Sequence, residues 1–300
     1  MKCTFCLQLI FVFILGVSTM INAKEITLHH HGKMLNADLE LADGKTLANG
    51  LIFITHGALA HRDMETLKNF RALFNDLGFS TFSINLSLGI NNRHNMQDCN
   101  AEQRHKNNDA VAEISHWLAW LKKEGAKNVT LLGHSRGGAQ TALYQKEHEN
   151  NIVNAMVLLA PATKDNSDTE HYKHRYNKDL ESILTKARNL VAAGKGNSIL
   201  KSIGFMTCRE TDVSAQSFLS YYANQSRVDT PALLKSTNTP TLVVVAGNDK
   251  IVVGLDKKIA PLQHNKNIKM TIIDGSNHMF RDLNADDAVD SIVEFIEGLN

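Results

Sequence analysis

The strongest constraint on the fold is an alternation of short, mostly apolar runs with segments of helical periodicity. The apolar runs are residues 51–54, 81–84, 129–132, 155–159, 241–246 and 270–273. A strand whose residues are mostly apolar is buried on both faces, as interior strands of parallel sheets are. Strands that alternate with helices form right-handed crossovers. The pattern therefore predicts an α/β fold with a mostly parallel, doubly wound sheet.

Two further strands are expected before the alternation begins. Residues 25–31 and 34–41 flank His31-Gly32-Lys33, which predicts a β-hairpin. Three adjacent histidines, residues 29–31, raise the question of a metal site. Successive side chains of a strand point to opposite faces, so these three cannot converge on one ion. The pattern favours an ordinary strand surface.

Helix signals separate the later strands. Asp63 is a candidate N-cap of a first helix that ends near Gly78, and Gly125 ends a second helix that carries the apolar positions of residues 111–121. A third helix is expected to begin just after Ser135. A last one carries the apolar positions of residues 288–296.

One long stretch, residues 163–239, interrupts the alternation and carries no strand signal. Apolar residues recur at helical spacing over residues 180–191, and aromatic residues follow at Phe205, Phe218, Tyr221 and Tyr222. This periodicity favours a mostly helical cap over a disordered insertion. We expect residues 24–162 and 240–300 to form the core, with the cap inserted between late strands and its aromatic residues lining a substrate pocket.

Composition limits the classes of partner. The chain has 300 residues, of which 43% are hydrophobic, and this content suits one large α/β domain with an insertion. It carries 32 Lys and Arg against 31 Asp and Glu. This balance gives no reason to expect nucleic acid or an acidic surface as a partner. The sequence leaves the oligomeric state open.

The N-terminus has the pattern of an export signal. Lys2 precedes an apolar run over residues 7–17, and Ile21-Asn22-Ala23 offers a cleavage site before Lys24. The run is shorter than the roughly 20 residues that a membrane-spanning helix needs. We expect a signal peptide over residues 1–23, export to the periplasm or medium, and no membrane span after cleavage. An uncleaved anchor is the alternative.

Cleavage there would leave two cysteines, Cys99 and Cys208. In an oxidising compartment they could form one disulfide, and only one pairing exists. The alternative is two thiols without a role.

The stretch LLGHSRGG, residues 131–138, places a serine between glycines where an apolar strand ends. A sharp strand-to-helix turn needs small neighbours, which Gly133 and Gly137 provide. Such a turn exposes the hydroxyl of Ser135. The following helix directs its N-terminal amides to the same point. Ser135 is therefore the candidate nucleophile.

A serine hydroxyl needs a base, and the base needs an orienting carboxylate. His278 follows the last predicted strand and Asp249 follows the one before it. Both lie where ligands bind in such sheets, beyond the carboxyl ends of the strands. Asp165, which follows the strand at residues 155–159, is the alternative carboxylate.

Two backbone amides are expected to form an oxyanion hole. One is the amide of Arg136, directly after the nucleophile. The other comes from the loop His56-Gly57-Ala58, where the amide of Ala58 is the candidate. This chemistry implies no organic cofactor and no metal ion.

These motifs together resemble the α/β-hydrolase superfamily, in its serine-esterase branch. The resemblance covers nearly all of the chain after residue 23 and depends on residues 133–138, the His56-Gly57 loop, Gly247-Asn248-Asp249 and Asn277-His278. It implies a Ser-His-Asp hydrolase that cleaves a carboxylic ester of a small acyl substrate through an acyl-enzyme. Alternatives are a thioesterase or acyltransferase with the same triad, and a non-catalytic binding protein on the same fold.

Overall fold

The computed structural model describes residues 23–148 and 150–299. Residues 1–22 of the expected export segment therefore lie outside the described residues. The strands are β1 (Lys24–His30), β2 (Lys33–Glu40), β3 (Leu51–Thr55), β4 (Thr81–Asn85), β5 (Val129–His134), β6 (Val153–Leu159), β7 (Ile199–Phe205), β8 (Cys208–Ser214), β9 (Thr241–Ala246) and β10 (Ile268–Ile273). Among the described helices, none combines the length and the apolar character that crossing a membrane requires.

The α-helices flank the sheet or belong to the segment between β6 and β9. They are α1 (Glu65–Asp76), α2 (Asn107–Lys123), α3 (Arg136–Glu147), α4 (Thr169–Tyr176), α5 (Leu180–Ala192), α6 (Ala215–Tyr222), α7 (Thr230–Leu234), α8 (Leu255–Ile259) and α9 (Leu283–Glu297).

Eight strands form one sheet in the order β1-β2-β4-β3-β5-β6-β9-β10. The hairpin of β1 and β2 is antiparallel and β2 joins β4 antiparallel, whereas the pairs from β4 to β10 are all parallel. The predicted fold class is therefore confirmed. Strand β3 pairs with both β4 and β5, so the chain turns back across the sheet at this point. Crevices at such a switch point are where open α/β sheets bind ligands.

Two apolar layers cover the two faces of the sheet. On one face, Ile114, Trp117 and Leu118 of α2 pack with residues of the central strands. On the other face, Phe70 of α1 and Ile292 of α9 pack against the same strands. Burial on both faces explains why the parallel strands are mostly apolar. This packing fixes the strand ends on which the candidate site is built.

The predicted N-cap of the first helix is wrong. Helix α1 begins at Glu65, and Met64 is its N-cap residue. The carboxylate of Asp63 instead accepts a hydrogen bond from Arg71 at 3.1 Å and lies 3.5 Å from the guanidinium of Arg62. Two neighbouring arginines therefore hold this side chain away from the helix amides.

The segment between β6 and β9 contains helices α4 to α7, and it also contains two strands that the sequence did not predict. Strands β7 and β8 form a separate antiparallel sheet. Their sequences, ILKSIGF and CRETDVS, mix polar residues into both faces and so give no clear strand periodicity. The strands instead gain their burial from packing against α4, α5 and α6. That packing forms a third apolar cluster, which includes Tyr172, Tyr176, Phe205, Phe218, Tyr221 and Tyr222.

The inserted segment is tied to the core by backbone bonds and by one covalent bond. Gln103, in the loop between β4 and α2, accepts from the amide of Ser214 at 3.0 Å and donates to the carbonyl of Asp212 at 2.7 Å. Cys99 of the same loop is disulfide-bonded to Cys208 at the start of β8. The structure therefore contains the disulfide that the sequence would permit after removal of residues 1–23.

Candidate active site

Ser135 lies at the turn between β5 and α3, in a backbone conformation that non-glycine residues rarely adopt. Its φ and ψ are 55° and −121°. The turn is closely packed: a Cβ atom on Gly137 would lie 2.2 Å from the carbonyl oxygen of His56 and 2.6 Å from that of Thr55. A non-glycine residue in this conformation is strained and persists only when its surroundings hold it. The predicted strained turn that presents the Ser135 hydroxyl is thus present.

The three residues selected from the sequence form one hydrogen-bonded row. The hydroxyl of Ser135 lies 2.8 Å from Nε2 of His278, and Nδ1 of His278 lies 2.7 Å from Oδ2 of Asp249. A carboxylate only accepts hydrogen bonds, so Nδ1 carries the proton and Nε2 accepts from the serine. Such a row can take a proton from a serine hydroxyl when the oxygen attacks a carbonyl carbon.

Asp249 is held in its ionised form by its surroundings. Its second oxygen, Oδ1, accepts from the amides of Ile251 at 2.7 Å and Val252 at 3.0 Å. Burial would raise the pKa of this carboxyl, but the hydrogen bond from His278 and these two amides lower it below its ordinary value. The alternative carboxylate, Asp165, contacts Lys258 instead of His278.

The two predicted oxyanion residues lie next to the serine. Ala58 and Arg136 both line the cavity into which Ser135 opens. The loop after β3 passes close to the nucleophile, because a Cβ atom on Gly57 would lie only 3.3 Å from Cβ of Ser135. Both residues therefore lie at the wall of the cavity beside Ser135.

His56 stabilises this loop through hydrogen bonds at both of its ring nitrogens. Its Nδ1 donates to the carbonyl of Gly57 at 2.8 Å, and its Nε2 accepts from the amide of Leu86 at 3.0 Å and from Arg93 at 2.9 Å. Complete burial, and then the positive charge of Arg93, lower the pKa of His56 well below its ordinary value. The ring is therefore neutral, with its proton on Nδ1.

His134 is a site residue that the sequence did not single out. Its ring is buried 5.0 Å from that of His278, and its Nε2 lies 2.9 Å from the carbonyl oxygen of His278. Burial, and then the neighbouring His278, lower the pKa of His134 to about 3. The neutral ring donates from Nε2 and so fixes the loop that carries His278. Its position directly before Ser135 is the signal that could have identified it.

A cavity of about 320 Å³ opens over Ser135 and His278. This volume is at the small end of the roughly 300–1,000 Å³ that ligand pockets span. Its walls are largely apolar and include Met64, Met96, Met206, Met279 and Val252. The expectation that aromatic residues of the insertion line this pocket is wrong, because those residues form the core of the insertion. The methionines come from four separate loops, so no periodicity indicated them.

Helix α4 adds two polar side chains to the wall. His171 and Arg175, four residues apart on this helix, both line the cavity. Burial, and then the charge of Arg175, lower the pKa of His171. Among the described residues that line the cavity there is no Asp or Glu. The described part of the chain also contains no group of three or more His, Cys, Asp or Glu side chains placed to hold a metal ion.

Comparison with known proteins supplies the family. A family model described as "Serine aminopeptidase, S33" matches residues 48–282, which include all three residues of the hydrogen-bonded row. The chain belongs to this family of α/β hydrolases. No curated protein matches the chain significantly in sequence.

Solved structures of the same fold are similar to the chain over most of its length. Est1E from Butyrivibrio proteoclasticus, with bound ferulic acid, has 16% identity and a TM-score of 0.68, over 91% of this chain and 98% of that one. A monoacylglycerol lipase from Paleococcus ferrophilus has 16% identity and a TM-score of 0.62, over 89% and 99% of the two chains. The α/β hydrolase GrgF from Penicillium sp. sh18 has 14% identity and a TM-score of 0.64, over 92% and 98%. At these identities the likeness shows the fold.

Proposed function

We propose that the protein is an exported serine hydrolase that cleaves a carboxylic ester of a small acyl substrate. The observation that carries this proposal is the hydrogen-bonded row of Ser135, His278 and Asp249 at the floor of an apolar cavity. A serine on a strained turn, a base within 2.8 Å and an orienting carboxylate are what nucleophilic catalysis by serine requires.

In the proposed mechanism, Ser135 attacks the ester carbonyl carbon while Nε2 of His278 accepts the serine proton. Asp249 stabilises the imidazolium that forms, and the amides of Ala58 and Arg136 bind the oxyanion. His278 then gives the proton to the leaving alcohol oxygen, and the acyl group stays on Ser135. A water molecule, deprotonated by His278, releases the acid and restores the enzyme.

The cavity favours an ester over the substrate that the family description names. An aminopeptidase must accommodate the charged α-amino group of its substrate, and a buried cation needs a carboxylate partner. The described residues of the cavity wall include no Asp or Glu, whereas Arg175 adds positive charge. An apolar acyl group fits the methionine-lined wall better than an ammonium group does.

Hydrolysis of 4-nitrophenyl acyl esters of increasing chain length, by the wild type and by Ser135→Ala, tests the proposal. We expect the wild type to be active on short chains, because the cavity is small, and Ser135→Ala to lose on the order of a million-fold in turnover. A fluorophosphonate probe should label the wild type and not the variant. Equal rates in the two proteins, together with no labelling, would contradict the proposal.

Export is part of the proposal and is supported by the disulfide of Cys99 and Cys208, because such bonds are rare in the reducing cytosol. The mass of the protein recovered from the native host tests this part. Loss of residues 1–23 is the expected result. A full-length cytosolic protein would contradict it.

A further inference from the structure

We propose that Arg175 binds a carboxylate on the substrate, so that the preferred ester carries an anionic group at the end of its acyl chain. This inference rests on the proposed ester hydrolase function and narrows its substrate class. It starts from the charges of the cavity, which are one-sided: the described wall contains two arginines and no acidic residue.

Three carboxylates of the loops around the cavity are already engaged, and Glu170 of α4 itself forms no ion pair with Arg175 among the described residues. Asp168 accepts the amide of His171 at 2.8 Å as the N-cap of the helix. Asp165 contacts Lys258, and Asp249 accepts from His278 and two amides. Within the described residues, Arg175 forms no ion pair with any of them. Its charge at the cavity wall is therefore not neutralised by the protein.

Arg175 is also held in place rather than left to move in solvent. Its guanidinium lies over the ring of Tyr176, with 5.8 Å between the carbon of the group and the ring centroid. Tyr176 is fixed in turn, because its hydroxyl donates to the carbonyl of Met206 at 2.6 Å. Its ring also packs directly on Gly204, where a Cβ atom would lie 2.1 Å away.

A cation–π contact with the ring uses no N–H hydrogen bond of the guanidinium, so its donors stay available to a ligand. Those donors match the two oxygens of a carboxylate, which is why arginine is preferred for recognising such anions. His171 lies one helical turn before Arg175 on the same wall and, when neutral, supplies one further N–H donor.

The groups that line the cavity indicate the chemistry of the ligand. The carbonyl carbon must lie at Ser135, the apolar chain must pass the methionine wall, and the cation lies in the part of the wall formed by α4. A half-ester of a short dicarboxylic acid has groups to match all three. A fatty acyl ester has the apolar chain but leaves Arg175 without a partner.

The test compares two esters of equal size. Mono-4-nitrophenyl adipate carries a terminal carboxylate, and 4-nitrophenyl adipamate replaces it by a neutral amide. We expect the wild type to have a kcat/KM at least about 10-fold higher for the adipate, mostly through a lower KM, because a charge-assisted hydrogen bond distinguishes the two. Background hydrolysis is measured with Ser135→Ala.

Variants assign the preference to one side chain. Arg175→Gln should reduce the adipate-to-adipamate ratio to about 1, and Arg175→Lys should keep part of it. Arg188→Gln is the matched control, because Arg188 is exposed on α5, pairs with Glu181 and does not line the cavity. A wild-type ratio near 1, or an equal loss on both esters in Arg175→Gln, would overturn the inference.

A second measurement applies if neither ester is turned over. Adipamate, which carries one carboxylate, should protect Ser135 from fluorophosphonate labelling at lower concentration than neutral adipamide does, and Arg175→Gln should abolish the difference. Equal protection by the two compounds would overturn the inference. If the probe does not label the wild type at all, the proposed hydrolase function itself fails. Ser135-dependent cleavage without charge preference overturns the anion inference while leaving the hydrolase function in place.

Discussion

At the scale of single residues, one hydrogen bond fixes the direction of a proposed oxyanion donor. The carbonyl of Gly57 and the amide of Ala58 belong to one planar peptide, so the bond from Nδ1 of His56 to that carbonyl also orients the amide. We predict that His56→Leu lowers kcat by about 10- to 100-fold with little change in KM, because a displaced donor stabilises only the transition state less.

His56→Asn is the matched variant for this prediction. Its amide group can still donate to Gly57, whereas both variants remove the acceptor at Nε2 that Leu86 and Arg93 use. The difference between the two therefore isolates the bond to Gly57. Steady-state kinetics on a 4-nitrophenyl ester should show a higher kcat for His56→Asn than for His56→Leu. Equal values would mean that His56 acts only through the stability of the loop.

A second residue-scale prediction concerns the turn under Ser135. Gly137→Ala would place a methyl group 2.2 Å from the backbone oxygen of His56, and a backbone atom cannot rotate away. We expect the free energy of unfolding to fall by about 1–3 kcal/mol, the usual cost of overpacking. Gly196→Ala is the control, because a Cβ atom added at Gly196 would lie 3.4 Å from its nearest neighbours, an ordinary contact distance. Urea unfolding should separate the two variants, and equal midpoints would contradict the prediction.

At the scale of secondary-structure elements, a buried carboxylate connects α2 to the loop that carries Arg93 and Met96. Glu113 of α2 accepts from the amide of Ser87 at 2.8 Å and from its hydroxyl at 2.5 Å. Burial, opposed by these two bonds, raises the pKa of Glu113 to about 7. The native state therefore retains a proton there between about pH 4.5, its ordinary pKa, and about pH 7.

The direction in which stability changes with pH depends on whether the folded or the unfolded state binds more protons. In this range the folded protein holds a proton that the unfolded chain has lost, so stability falls as pH rises. Glu113→Gln cannot titrate, and we predict that the wild type loses roughly 1–3 kcal/mol of unfolding free energy relative to this variant between pH 4.5 and pH 8. Urea unfolding of both proteins at the two pH values measures it. If the two proteins differed in unfolding free energy by the same amount at both pH values, the prediction would be contradicted.

The sequence predicted those elements that have a clear apolar pattern of their own. It missed the elements whose burial depends on packing against other parts of the chain. Mostly apolar runs predicted the parallel strands, and residues at the carboxyl ends of such strands lie at one edge of the sheet. Ser135, Asp249 and His278 could therefore be selected together. Strands β7 and β8 could not be found, because their burial depends on helices of the insertion rather than on their own periodicity. Arg175 reaches the cavity through the same insertion, so its place could not be read from spacing.

At the scale of the whole molecule, the disulfide links two loops that form separate parts of the cavity wall. Cys99 follows Met96 by three residues in one wall loop, and Cys208 directly follows Met206 and Thr207 in the other. The bond closes a sequence separation of 109 residues. A cross-link of this span restricts the unfolded chain strongly, and removal of such a bond typically costs about 2–5 kcal/mol.

We therefore predict that reduction lowers both stability and substrate affinity. Dithiothreitol should lower the urea midpoint of the wild type and raise KM for a 4-nitrophenyl ester by a few-fold, with a smaller effect on kcat, since the hydrogen-bonded row lies outside the cross-linked loops. The double variant Cys99→Ser with Cys208→Ser is the control: it should match the reduced wild type and no longer respond to dithiothreitol. An unchanged midpoint on complete reduction, verified by detection of the Cys99 and Cys208 thiols in the unfolded protein, would show that noncovalent contacts alone hold the two walls together.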